Sequence, residues 1–162
     1  MSSLTMWKFD TADGAERVGY ALRDATPQQR RLVADAVYVT WPVGARKPST
    51  RPITGLDTQA ALGESFWGLL FGLIFYSPLL GAAVGSAGGP MWGGLTSFGI
   101  DETFVNRVRD AVTPGTSALF LLSSGTACDQ IRDTLCFDPP TMVLNAKLTR
   151  RQESSLRDVF VD

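Results

Sequence analysis

The chain reads as an α+β protein, on three observations. Two β-α-β patterns stand at its ends, a charge-free stretch separates them, and glycines recur every fourth residue inside that stretch. The expected fold is a ferredoxin-like split β-α-β sandwich, a four-stranded antiparallel sheet with helices on one face, carrying an inserted glycine-rich helical hairpin. Residues 1–45 form the first half. Residues 46–100 hold a linker and the hydrophobic hairpin, and residues 101–162 hold a connecting helix and the second half.

In the first half, Leu4-Thr5-Met6-Trp7-Lys8-Phe9 alternates and predicts a strand. Asp10 or Thr11 can cap a helix running to about Asp24, with Ala15, Val18 and Leu22 on one face. Ala36-Val37-Tyr38-Val39-Thr40-Trp41 is β-branched and aromatic, predicts a second strand, and stops at Pro42. Residues 44–57, with two prolines, two glycines and three basic side chains, read as linker.

The second half opens with a helix from Asp101 to Val112, with Phe104, Val105, Val108 and Val112 apolar. Pro114-Gly115 makes a turn, and Ala118-Leu119-Phe120-Leu121-Leu122 predicts a strand buried on both faces. Thr126 can cap a helix carrying Cys128, Ile131 and Leu135. Met142 to Leu148 is the last strand. Thr149 and Gln152 have the spacing of a capping box for a terminal helix with Leu156, Val159 and Phe160.

From Ser65 to Ile100 no residue is charged. Gly68 and Gly72 stand four apart, and so do Gly81, Gly85, Gly89 and Gly93 in one series. Positions i and i+4 share a helix face, so each series is a ridge without side chains, on which another backbone can approach closely. Each glycine costs a helix about 1 kcal/mol relative to alanine, so close packing must offset the series. These six glycines are the expected helix-packing and oligomerisation residues.

A spanning helix needs about 20 apolar residues, and Phe66 to Val84 is long enough if the helix continues through Pro78. A single crossing would separate the two halves of the sheet. A break at Ser77-Pro78 leaves a first helix too short to cross, which favours a re-entrant or interfacial hairpin, or burial between subunits. Arg46, Lys47 and Arg51 precede the run and Arg107 and Arg109 follow it, fitting two hairpin ends that face the cytoplasm. Trp67, Tyr76 and Trp92 are the membrane-interface candidates, with core packing as the other account of them.

Composition removes several functions. Net charge is −1, which gives no field to attract nucleic acid. With no histidine, the commonest general base near neutral pH is missing. Two cysteines cannot hold zinc alone, and eight residues apart on a helix Cys128 and Cys136 would sit about 12 Å from one another, too far to bridge. They read as apolar helix residues in a reducing compartment. No apolar segment in the first 30 residues predicts a signal peptide. Ser123-Ser124-Gly125-Thr126, Asp10 with Asp13, and Asp101-Glu102 are what helix starts look like. No enzyme, catalytic residue, metal or cofactor is expected.

The stretch Leu62 to Gly85, with Phe98 to Phe104, Pro114 to Leu122 and Leu148-Thr149, resembles a bacterial family of small glycine-zipper proteins of unknown function, usually labelled "predicted membrane protein". The resemblance covers most of residues 60–160 closely and the first 45 in pattern. Departures are the proline-rich linker and Pro90-Met91-Trp92. It implies no established activity and brings no catalytic residues.

The expectation is a non-enzymatic, membrane-associated protein that self-assembles through the hairpin, its partners being itself and the lipid membrane, its α+β domain facing the cytoplasm. The alternative is a cytoplasmic, soluble homo-oligomer with the hairpins as a shared hydrophobic core. A small-ligand sensor using the open face of the sheet is the third reading.

Overall fold

The alternating first segment forms β1, Ser2–Phe9, and the run after the first helix forms β2, Val33–Thr40. These belong to a computed structural model that describes residues 2–24, 33–53, 67, 70–71, 74–75, 102–124, 140–149 and 151. The other described strands are β3 (Ser49–Pro52), β4 (Ser117–Ser124) and β5 (Met142–Leu148). The helices α1 and α2 span Gly14–Arg23 and Glu102–Ala111, and Trp67, Leu70 and Phe71 are also helical.

The strands make one sheet in the order β3-β2-β4-β1-β5, and every neighbouring pair is antiparallel. Because β1 and β2 both oppose β4, they run parallel to each other with β4 between them. In the chain α1 stands between these two strands. The architecture is α+β.

Period-two alternation sends the side chains of β1, β2 and β4 to two separate cores. Trp7, Phe9, Ala36, Tyr38, Leu119 and Leu121 meet Ala15, Val18 and Leu22 of α1. Leu4, Met6, Val37, Val39, Ala118, Phe120 and Leu122, with Leu144, Ala146 and Leu148 of β5, form the opposite face. That face is covered by Phe104, Val105 and Val108 of α2 and by Trp67, Leu70, Phe71 and Ile74 from the apolar run. The central strand β4 is thus buried on both sides, which explains its unbroken apolar sequence.

Three expectations are corrected. The sheet has five strands rather than four, because β3 lies in the stretch read as linker. Pro48 and Pro52 argue against a strand by composition, yet proline is tolerated at a sheet edge, which is where β3 sits. Helical segments cover both faces rather than one, because α2 and the apolar run occupy the side opposite α1. The first turn of α1 is not capped by Asp10 or Thr11. Its N-cap is Asp13, whose side chain makes no capping bond. The Ala15 N–H donates instead to Ser117 Oγ of β4 at 2.9 Å, and that hydroxyl donates to the Thr11 carbonyl at 2.7 Å. A partner about a hundred residues away has no local signal.

The helix carrying Cys128 lies outside the described residues, as does the terminal helix except for Arg151. The turn before β4 is as expected, with Gly115 at φ +86° where a side chain would be strained.

Gly14 sits where α1 leaves β1, and a Cβ there would lie 2.6 Å from the Phe9 Cβ, a stem atom with little freedom to yield. We expect Gly14→Ala to destabilise the fold by about 1–2 kcal/mol, overpacking outweighing the gain in helix propensity. A lowered urea midpoint with an unchanged denaturant slope would show it.

Candidate functional site

The apolar run enters the fold at an irregularity in β2. Val33 pairs with Ser123, but Asp35 pairs with Leu122, so Ala34 is an extra residue and the pair carries a β-bulge. Without the bulge, Val33 and Asp35 would share a face. With it, Val33 joins the α1 core and Asp35 turns toward the face covered by the apolar run.

Asp35 is 7% exposed, so its carboxyl group must find donors within the protein. Oδ1 accepts the backbone N–H of Ala36 at 2.9 Å. Oδ2 accepts the indole N–H of Trp67 at 2.6 Å. The bulge aims the acid, and the acid fixes the first described residue of the run.

From Trp67 the run continues with helical spacing along the sheet. Trp67, Leu70, Phe71 and Ile74 are 6%, 0%, 2% and 1% exposed. The Trp67 and Phe71 rings stack with centroids 5.7 Å apart, and Phe71 meets Phe120 of β4 edge-on at 5.0 Å. Phe75, partly buried, stacks on Phe71 at 6.1 Å. Arg109 of α2 reaches across, its Nε donating to the Ile74 carbonyl at 3.1 Å. Arg109, read from sequence as a basic flank of a membrane segment, thus holds the run against α2.

This seam contains one of the sequence-predicted site residues. Trp67, an interface candidate, lies in the core, so core packing accounts for its aromatic character here. Gly68, Gly72, Gly81, Gly85, Gly89 and Gly93, with Tyr76 and Trp92, lie outside the described residues, as do Cys128 and Cys136. Asp10 and Asp13 are exposed and pair with Lys8 at 3.4 Å and Arg17 at 3.5 Å. Ser123 is buried in β4. Among the described residues no group of histidine, cysteine and acidic side chains could hold a metal ion. Likewise no described helix is long and apolar enough to cross a membrane.

Aspartate is depleted in strands, so composition alone starts β2 at Ala36 and leaves Asp35 outside it. The available signal is the three consecutive apolar residues Leu32, Val33 and Ala34, directly before a polar residue at the head of a β-branched run. Such a break in alternation is how a bulge looks in sequence.

The helical spacing of the buried run and its cover of β4 fall inside the segment matched by a family described as "Protein of unknown function (DUF1269)", residues 61–161. That segment is well over half of the 162 residues. The chain belongs to the DUF1269 family. No curated protein and no solved structure matches it. The DUF1269 match includes Trp67, Phe71, α2, β4 and β5, while Asp35, its bulge and α1 precede it. The contact from Asp35 to Trp67 therefore joins the N-terminal segment to the DUF1269 segment.

Proposed function

We propose that this protein is a non-enzymatic self-assembling module whose copies meet through Gly81, Gly85, Gly89 and Gly93. The sheet domain that carries them is of the ferredoxin-like, split β-α-β kind. Its β5-β1-β4-β2 order and the crossover through α1 support that description, with β3 added at the edge beside β2.

The observation that carries the reading is the burial of the first part of the apolar run. Trp67, Leu70, Phe71 and Ile74 are spent on covering the chain's own sheet. The run is thus tied to the domain at its start, and the sequence of its later part is free of charge and carries glycine at every fourth position from Gly81 to Gly93. A side-chain-free ridge is matched best by another backbone at close range. A second copy supplies the same ridge, as symmetric self-association requires.

Membrane association is the second reading. It is favoured by the absence of charge from Ser65 to Ile100. Both readings make the glycine series a contact surface and differ in what surrounds it.

The test is gel filtration with light scattering on the purified chain, preceded by an alkaline carbonate wash of the cell membranes. A soluble oligomer should appear in the supernatant as a defined particle above monomer mass. Gly81→Leu or Gly85→Leu should shift it toward monomer while the circular dichroism of the sheet domain stays the same. Retention in the washed pellet would move the assembly into the membrane. A wild type that runs as a monomer, or leucine variants that run as wild type, would end the glycine-ridge reading.

A further inference from the structure

Where the last turn of α1 faces the β2–β3 edge, a cleft of about 230 Å³ is lined by Tyr20, Arg23, Tyr38, Arg51, Pro52 and Ile53. Two of these side chains are cationic, two are phenols, and none is acidic. The sequence assembles it simply. Arg51 stands directly opposite Tyr38 in the β2–β3 register, and Tyr20 and Arg23 are one turn apart on α1. Gly19 leaves room for Ile53, whose Cδ1 would lie 2.5 Å from a Cβ at that position, and this brings the end of β3 against the helix.

We propose that this cleft binds a small oxyanion of the phosphate class, held by the guanidinium groups of Arg23 and Arg51 and the hydroxyls of Tyr20 and Tyr38. Paired guanidinium groups are the side chains best matched to such an anion. The site is partly organised in advance. The Arg23 guanidinium lies 4.7 Å from the Tyr20 ring centroid, a cation–π contact that limits its wandering. The Tyr20 and Tyr38 rings meet edge-on at 6.5 Å. Arg51 makes no ion pair among the described residues.

Two acids stand close to the cleft without lining it. Asp24 pairs with Arg23 Nε at 3.8 Å, and Glu16, one turn before Tyr20, acts on Tyr38 through its charge. Tyr38 titrates above the ordinary phenol range, first because it is buried, then because it is hydrogen-bonded to Tyr20 and repelled by Glu16. Arg51 acts in the opposite direction. The phenol is therefore neutral at physiological pH and adds no negative charge to the cleft, and of the two hydroxyls in this pair one proton stays in the bond between them while the other can turn to an anion. Size sets a further limit. Pockets for drug-sized ligands run to roughly 300–1,000 Å³, so this cleft suits a phosphate group rather than a whole nucleotide.

Free phosphate and a phosphomonoester lipid headgroup share this chemistry, and the experiment separates them. The ¹⁵N-labelled chain is titrated with inorganic phosphate, following the arginine Nε–H resonances, with sodium chloride at matched ionic strength as control. In parallel it is mixed with phosphatidylcholine vesicles, with or without phosphatidic acid. Saturable shifts of the Arg51 and Arg23 signals by phosphate, weakened about tenfold or more in Arg51→Gln, support a site for the free anion. Binding only to phosphatidic acid vesicles, again lost in Arg51→Gln, supports the headgroup. Arg51 is exposed, so the variant keeps the fold. Shifts matched by chloride, equal affinity in Arg51→Gln, or no response to either probe would overturn the proposal. None of these readouts depends on assembly through the glycine series.

Discussion

Phe71→Ala is expected to destabilise the sheet domain by about 3–5 kcal/mol. Phe71 lies 2% exposed between Trp67, Phe75 and Phe120, so truncation removes ring contacts on three sides. Phe120 sits on the central strand, paired on one side with β1 and on the other with β2, and cannot move to fill the space. Urea unfolding followed by circular dichroism measures the loss. The outcome also decides what the apolar run is. A run that left the domain for a bilayer would give a variant of unchanged stability, and the core described here would then be wrong.

The second large effect concerns the polar contact that fixes the run. Trp67→Phe keeps most of the ring and removes the donor to Asp35 Oδ2, and Asp35→Ala removes the acceptor. Each change is expected to cost about 1–3 kcal/mol, because a buried polar group loses a partner. The double variant should be less destabilised than the two losses added together. A coupling energy of about 0.5–3 kcal/mol is expected for residues in contact. Strict additivity across that cycle would mean that the 2.6 Å contact contributes nothing, and that the bulge at Ala34 serves only the backbone.

Why some elements were legible and others were not follows from the range of the forces that form them. β1, β4 and β5 could be read because alternation or an unbroken apolar run is written in adjacent residues. The amphipathic faces of α1 and α2 were legible for the same reason, at helical spacing. β3 was not. Its four residues have no strand pattern of their own, and they extend because β2 offers them a free edge. The cap on α1 was also hidden, since Ser117 reaches it only after β4 has been placed.

The site follows the same division. Glycine spacing and the missing charges are visible in the chain by inspection, and so is the helical period of Trp67, Leu70, Phe71 and Ile74. The same period suits a helix facing lipid, a partner or its own sheet, because all three offer apolar contact. Direction was chosen in three dimensions. The bulge turned Asp35 to the face where an indole N–H could reach it, and β4 laid Phe120 beneath Phe71. By itself the sequence determined the α+β class, the alternating strands and the apolar, glycine-spaced run, because periodicity and composition are properties of neighbouring residues. Only the tertiary structure decided that the start of that run is core, that both sheet faces are covered, and that Arg51 meets Tyr38 beside α1. Those depend on which distant surfaces can pack together once backbone hydrogen bonds and buried polar groups have all found partners.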